Sequence, residues 1–139
     1  MKIAICGSMT FASQMIAARD QLEKNGHTCF IPEDAQMWAE GQHIVEGGYS
    51  EGARRKIEHN FIKGHYNLIE KSDAILVLNY DKRGIKNYIG GNSFLEIGFA
   101  HILGKKIFFM QDIPDIELMR EELEAVQPVI LDNNLWRIV

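Results

Sequence analysis

The sequence predicts a three-layer α/β/α sandwich built on a five-stranded parallel sheet in flavodoxin-like order. Short apolar runs such as AILVL at 74–78 are typical of strands that are buried on both faces. These runs alternate along the chain with segments of helical periodicity. Strands linked by helices pair in parallel with right-handed crossovers, so the alternation predicts a doubly wound α/β fold.

The first part of the chain supplies a strand, a helix and a second strand. Lys2–Cys6 (KIAIC) is a short apolar strand that ends at a Gly-Ser pair. Phe11–Asn25 carries apolar residues at helical spacing and is closed by Asn-Gly. His27–Ile31 is the second strand, and a proline ends it.

Residues 33–51 interrupt this alternation. Glycines break any period there, while Met37, Trp38 and Ile44 add apolar bulk. A loop of this length in a compact domain is uncommon and often forms a lid over a site. The alternative is a short irregular helix packed on the surface, and the sequence leaves both interpretations open.

The second part of the chain resumes the alternation. Glu51–Lys71 is predicted to be one long helix with five residues toward the core: Ile57, Phe61, Ile62, Tyr66 and Ile69. The elements that follow are a strand at Ala74–Leu78, a polar loop at Tyr80–Gly91, a helix at Ser93–Leu103, a strand at Ile107–Met110, a helix at Ile113–Val126, a short strand at Val129–Leu131 and an exposed tail.

Length and composition indicate a globular protein of one domain spanning residues 1–139. Fifteen Lys and Arg against nineteen Asp and Glu argue against polymeric nucleic acid as a partner. The apolar runs are far shorter than the roughly 20 residues of a membrane span, and the N-terminal run is too short for a signal peptide. Cys6 and Cys29 lie in strand-like runs, which predicts reduced core thiols in a cytoplasmic protein.

Three loops are expected to meet at the carboxyl edge of the sheet, where ligands bind in such folds. They are Gly7–Thr10, Asn79–Asn92 and the loop after Met110. No CxxC pair or His/Cys cluster at ligand spacing is visible in the sequence, so no metal site is predicted.

The first of these loops is CGSMT, which contains Gly7, Ser8 and Met9. Glycine permits a sharp turn, and the Ser8 hydroxyl lies beside the free N–H groups of a helix start, an arrangement that binds phosphate or a sugar hydroxyl. The alternative is a plain strand-to-helix turn in which Ser or Thr is only the N-cap. The turn is neither a P-loop nor a GxGxxG motif.

Glu96 follows the second loop and has two interpretations. Ser93-Phe94-Leu95-Glu96 fits S-x-x-E, the capping box in which the acid satisfies a backbone N–H at the helix start. However, Gly90 and Gly91 leave room for a ligand, and Gly98 leaves space on the helix itself. An acid at this edge can instead be a nucleophile toward an electrophilic sugar carbon.

Other polar and aromatic residues lie near the same edge. Asn79 and Asp81 are candidates for contacts with a ribose hydroxyl or a base, or for an ordinary Asx turn. Tyr88 and Trp38 are candidates for stacking on a base or for loop packing. A small basic cluster either attracts a phosphate or forms a solvated loop face: Lys82, Arg83 and Lys86.

Several stretches together resemble the nucleoside 2-deoxyribosyltransferase family and its relatives, the 2′-deoxynucleoside 5′-monophosphate N-glycosidases. They are ICGS, SDAILVLN and GNSFLEIGFA followed by GKKIFF. The resemblance implies the flavodoxin-like fold and a nucleophilic role for Glu96 on the anomeric carbon. It also implies substrate contacts at Gly7 and Ser8, and a site completed by a neighbouring subunit.

The chain also departs from the family pattern. His65 stands where the family usually has an Asp that assists the leaving base; the role is kept with altered chemistry or lost, and the alternative is an exposed helix residue. Gly90 stands where relatives place an Asp or Ser for the 5′ end, and Asn92 and Ser93 are the candidate replacements. Ala4 replaces an aromatic residue that is often found on the first strand.

The leading hypothesis is therefore cleavage of the N-glycosidic bond of a nucleoside or nucleoside monophosphate, with no metal or organic cofactor, by a homodimer or higher homo-oligomer. The second hypothesis is a nucleotide-binding sensor that kept the pocket and lost turnover, which the replacement at His65 favours. The third is a flavodoxin-like domain used for assembly, with Glu96 only a cap. Base, sugar, 5′ group and the choice between hydrolysis and transfer stay open.

Overall fold

The computed structural model describes residues 1–41 and 60–139. Their strands form one parallel five-stranded sheet in the order β2-β1-β3-β4-β5. This order and the helices around the sheet confirm the predicted fold class. The strand bounds are β1 Lys2–Gly7, β2 Thr28–Phe30, β3 Ala74–Leu78, β4 Lys106–Phe109 and β5 Val129–Ile130.

The helices of the described ranges lie on both faces of this sheet. They are α1 Ala12–Lys24, α2 Ala35–Ala39, α3 Phe61–Glu70, α4 Gly91–Ile102 and α5 Arg120–Ala125. A short 3-10 turn at Met9–Phe11 precedes α1. A second one, at Leu135–Arg137, forms part of the C-terminal tail. Within the described residues, none of the helices has the length and apolar character that crossing a membrane requires.

Alternation along β1 divides its side chains between two cores. Ile3 and Ile5 pack with the buried residues of α1 in one core. Ala4 and Cys6 point the other way, into the core that contains Ile69 of α3 and residues of α4. Because successive side chains of a strand alternate between faces, Cys6 is directed toward the α3–α4 layer.

The helix before β3 differs from its prediction. Asn60, which precedes α3, has a left-handed backbone with φ of 51°, so one continuous helix over Glu51–Lys71 is wrong. Residues 51–59, including Ile57, lie outside the described residues. Ile62 is exposed rather than core-facing, whereas His65 and Ile69, four residues apart, form the buried face.

The last helix and the tail also differ from their predictions. α5 begins at Arg120 instead of Ile113: Pro114 disfavours the helical backbone at the residue before it, and a turn from Ile116 to Met119 leads into the helix. The tail was expected to be exposed, yet Ile138 is buried against the core. The tail is folded back because Ile138 contributes apolar surface to that core.

The predicted lid region is described only in part. Its first residues include the short helix α2, which agrees with the surface-helix interpretation for that portion. Trp38 of α2 nevertheless lines a cavity, as the lid interpretation requires. Residues 42–51 lie outside the described residues.

Candidate functional site

A cavity of about 710 Å³ opens at the carboxyl ends of β1 and β2, the edge where ligands bind in doubly wound sheets. The structure brings nine of the eleven predicted site residues to its lining: Gly7, Ser8, Met9, His65, Gly90, Gly91, Asn92, Ser93 and Glu96. Asn79 and Asp81 are not among the lining residues. The roles of the nine toward a substrate stay predictions.

Glu96 lies in the second turn of α4 and is 2% exposed. One carboxylate oxygen, Oε1, accepts a hydrogen bond from Nδ2 of Asn92, four residues earlier on the same helix. The other oxygen, Oε2, lies 2.6 Å from Nδ1 of His65. Both oxygens therefore meet side chains at the cavity wall and not the backbone of the helix start.

The predicted capping box does not form. Helix α4 begins two residues earlier than predicted, at Gly91, and its N-cap is Gly90. Ser93 is consequently the third helical residue, and no acid lies in the first turn. The capping interpretation of Glu96 is therefore wrong.

His65 is 8% exposed, so its interpretation as an exposed helix residue is wrong. Packing of α3 against α4 places its Nδ1 at the carboxylate of Glu96. Despite that short approach, Glu96 Oε2 accepts no well-aligned hydrogen bond, and His65 Nε2 has no hydrogen-bond partner within the described ranges. The pair is thus buried, close and incompletely satisfied, which is unusual for interior polar groups.

Cys6 is a third member of this cluster, and it was predicted only as a core thiol. It is fully buried on β1. Its Sγ, one ring nitrogen of His65 and one carboxylate oxygen of Glu96 all lie within 4.8 Å of one another. Burial raises the pKa of the Cys6 thiol well above its usual value, and the charge of Glu96 and hydrogen bonding to it add to the rise. The thiol is therefore protonated at neutral pH.

The Gly-Ser turn after β1 serves two purposes. Ser8 caps the 3-10 turn, since its Oγ accepts a hydrogen bond from Thr10 N at 3.3 Å. The same Oγ accepts a hydrogen bond from Lys82 Nζ at 2.6 Å, which holds a cation at the cavity wall. A side chain at Gly7 would meet the carbonyl oxygen of Leu78 at 3.1 Å, and φ there is +156°, so this close turn requires glycine.

Lys82 belongs to the basic cluster noted in the sequence. Partial burial lowers its pKa, with a further contribution from the charge of Arg83. Its ammonium lies 5.3 Å from the centre of the Tyr88 ring. Lys82 and Arg83 line the cavity, whereas Lys86 is not among the lining residues, so the cluster is only partly a solvated loop face.

Asn79 and Asp81 are engaged elsewhere. The Asn79 amide is buried, donates to the carbonyl oxygens of Gln111 and Asp112 at 3.1 and 2.9 Å, and accepts from Gln111 N at 2.8 Å. Asp81 accepts a hydrogen bond from the backbone of Asn87 at 2.9 Å. These contacts tie loops together at the sheet edge, and substrate contacts by Asn79 and Asp81 stay predictions.

Trp38 and Tyr88, the two candidates for stacking on a base, both line the cavity, whereas Phe61 and Leu68 are lining residues that were not predicted at the site. Trp38, whose indole nitrogen donates to the Asp34 carboxylate at 2.9 Å, and Tyr88 supply flat aromatic walls. Phe61 and Leu68 of α3 add apolar surface. Their one sequence signal is position: Phe61, His65 and Leu68 are spaced at four and three residues, so they share a helical face.

The fold and this cavity define a flavodoxin-like α/β protein with a buried carboxylate at its ligand-binding edge. Among solved structures, the chain is similar to a 2-deoxyribosyltransferase from the psychrotolerant bacterium Bacillus psychrosaccharolyticus, with a TM-score of 0.57 and 19% identity over 94% of this chain and 98% of that one. At this identity the likeness concerns the fold alone. The sequence matches no protein-family model and no curated protein.

Proposed function

We propose that this protein cleaves the N-glycosidic bond of a nucleoside or nucleoside 5′-monophosphate, with Glu96 as the nucleophile. The observation that carries the proposal is the carboxylate of Glu96, which is buried at the cavity wall with His65 Nδ1 at 2.6 Å and Asn92 on its other oxygen. Burying an acid with so few aligned partners is costly for a fold, so a chemical role accounts for a carboxylate at this position better than a structural one.

The chemistry needs only groups that the cavity contains and water. A carboxylate oxygen of Glu96 forms a bond to the anomeric carbon while the bond from that carbon to the base nitrogen breaks. The bonding electrons leave with the base, which takes up a proton from His65 or from solvent. Water then attacks the anomeric carbon, releasing the sugar and restoring the carboxylate; a second base in place of water gives transfer.

The cavity offers groups that match the parts of a nucleoside. Trp38 and Tyr88 suit the flat face of a base. Ser8, with Lys82 hydrogen bonded to it, suits a sugar hydroxyl or a 5′-phosphate, as do the backbone and side chains of 91–93 at the start of α4. The sequence motifs and the fold likeness to a 2-deoxyribosyltransferase support the same substrate class.

The proposal is tested by incubating the protein with ribo- and deoxyribonucleosides and their 5′-monophosphates and measuring free base by chromatography. Base release that falls by at least about a hundredfold in Glu96→Gln supports the proposal, since the amide keeps the shape and loses the nucleophile. Glu70→Gln is the matched control, because Glu70 is an exposed acid at the end of α3 and should retain full release. Release that survives in Glu96→Gln contradicts the assignment.

A second candidate is a nucleotide-binding protein without turnover. Both oxygens of Glu96 already meet neighbouring side chains, and His65 stands at one of them, which favours a carboxylate used for recognition. Thermal stabilisation by a nucleotide without release of base over a long incubation supports this candidate over the enzyme. If neither effect occurs with any compound of the panel, both candidates are wrong.

We also propose that the chain acts as one domain, 1–139, and assembles with copies of itself. Helix α4 presents Leu95 and Ile102 on its outer side, and Ile102 is 85% exposed. Exposed apolar side chains grouped on one face are typical of interaction surfaces. Size-exclusion chromatography with light scattering measures the oligomeric state, and Ile102→Glu should shift a dimer toward the monomer.

A further inference from the structure

We propose that Cys6, His65 and Glu96 form a binding site for a thiophilic divalent cation such as Zn²⁺, and that an ion bound there switches off the site. Only the effect on turnover rests on the proposed function, whereas the binding itself stands on the geometry of the cluster. The three residues come from β1, α3 and α4, so the fold and not a sequence motif brings them together.

The distances suit a metal ion after small adjustments. A tetrahedral Zn²⁺ with bonds of about 2.0–2.3 Å places its ligand atoms about 3.3–3.6 Å apart. In the cluster every pair of ligand atoms lies within 4.8 Å, and His65 Nδ1 lies 2.6 Å from Glu96 Oε2. The closest pair must therefore open by about 1 Å, and any pair near the 4.8 Å limit must close by about 1 Å.

The second observation is the unsatisfied state of the cluster. Glu96 Oε2 and His65 Nε2 are buried atoms without hydrogen-bond partners among the residues that the structure describes. A buried acceptor without a well-aligned hydrogen bond is costly, and a cation between Cys6, His65 and Glu96 would satisfy the lone pairs of Oε2 directly. The ion replaces the poorly aligned contact between Nδ1 and Oε2 with two bonds to itself.

The donor set selects the kind of ion. A thiolate, an imidazole and a carboxylate together favour Zn²⁺, Cd²⁺ or Co²⁺ over Mg²⁺ or Ca²⁺, which prefer oxygen ligands only. Three protein ligands leave a fourth position, and the cavity beside His65 and Glu96 gives access to it. On binding, the sulfur–metal bond forms and the thiol proton of Cys6 passes to solvent, and the proton between His65 Nδ1 and Glu96 Oε2 passes to solvent or to Nε2, which frees the Nδ1 lone pair for the ion.

A metal ion bound by Cys6, His65 and Glu96 would block the proposed reaction. A Glu96 oxygen that donates its lone pair to a metal ion has less of it available to attack an anomeric carbon. The ion also takes the Nδ1 lone pair of His65, so this residue no longer passes a proton to a leaving base. We therefore expect Zn²⁺ to inhibit and a chelator to restore activity.

Binding is tested by titrating the chelator-treated protein with Co²⁺ and following the near-ultraviolet absorption of a thiolate–cobalt bond. We expect saturation at one ion per chain in the wild type and in Cys29→Ser, a matched control because Cys29 is also a buried free thiol, in β2. Cys6→Ser should abolish the band. A band that is absent in the wild type, or that persists in Cys6→Ser, overturns the proposal.

Cys6 is buried, so Cys6→Ser could fail to fold, and a second variant guards against that outcome. Glu96→Gln keeps the shape of the side chain and should weaken Co²⁺ binding by at least about tenfold, whereas unchanged affinity there overturns the site. Base release is measured separately with Zn²⁺ and after chelation. A cobalt band with no base release under any condition contradicts the proposed function alone, and base release with no cobalt band contradicts the metal site alone.

Discussion

Substitutions at the two members of the His65–Glu96 pair should have unequal consequences for stability. His65→Leu keeps the volume of the side chain but leaves the Glu96 carboxylate with only Asn92 as a partner. Glu96→Gln removes the charge and keeps a group that can accept from Asn92 and donate to His65. The first variant leaves a buried charge uncompensated, and the second leaves none.

The magnitude follows from the burial of the pair. The side chains of His65 and Glu96 are 9% and 3% exposed, and breaking a pair at such depth costs about 3–5 kcal/mol when a charge remains behind. Because the cavity lets water approach the carboxylate, we expect the lower value, about 3 kcal/mol, for His65→Leu. That corresponds to a fall in Tm of roughly 10 °C for a chain of this size. Glu96→Gln should change stability by less than about 1 kcal/mol, or increase it.

Urea unfolding followed by circular dichroism measures both variants and the double variant. In the double variant no charge is left buried, so its loss of stability should be smaller than that of His65→Leu by about 2 kcal/mol. If Glu96→Gln is the more destabilised single variant, or if the effects of the two substitutions simply add, the carboxylate is not held as a charge that His65 compensates.

Two further predictions concern residues outside the cluster. Asn79→Ala should lower the free energy of unfolding by about 2–3 kcal/mol because it removes three hydrogen bonds to the loop after β4; a loss under about 1 kcal/mol would show that water replaces them. Burial, followed by the charge of Glu23, raises the pKa of Cys29 from 9.0 to about 11. Because the pKa of Cys29 is higher in the folded than in the unfolded state, its protonated thiol stabilises the fold fully below about pH 9, and this contribution is lost as the pH rises. The free energy of unfolding should therefore fall by about 2 kcal/mol between pH 9 and 11, and Cys29→Val should not show that part of the loss.

The fold was readable from sequence where the signal is local. AILVL at β3 matched its predicted bounds because five buried apolar residues between polar ones admit few alternatives. The predicted helix boundaries were wrong where the backbone conformation of a single residue determines where a helix begins. The left-handed conformation of Asn60 and the restriction that Pro114 places on the backbone of Ile113 both move a helix start to a later residue, and helical periodicity carries no trace of the first.

The sequence predicted where in the fold the candidate site lies, but not how the side chains of His65 and Cys6 are arranged in it. Sheet topology alone places Ser8 and the start of α4 at one edge. The burial of His65 depends on the rotation of α3, and the position of Cys6 depends on the side-chain alternation of β1. Residue spacing predicts neither the rotation of α3 nor the face of the sheet to which Cys6 points. A Cys, a His and a Glu from distant segments therefore did not form a recognisable motif.

A histidine beside Glu96 gives this cavity different chemistry from the second acid that the sequence resemblance leads one to expect at position 65. Two acids beside each other would repel and one would take up a proton, whereas an imidazole can share a proton with Glu96 and can also bind a metal ion with it. In the two proposals, His65 therefore has two uses beside Glu96: a source of a proton for the leaving base and a ligand for an inhibitory ion. Both uses depend on the proximity of Nδ1 and Oε2, which lie 2.6 Å apart and must separate slightly for an ion to bind. Stability, base release and cobalt binding in Glu96→Gln thus test one geometry by independent measurements.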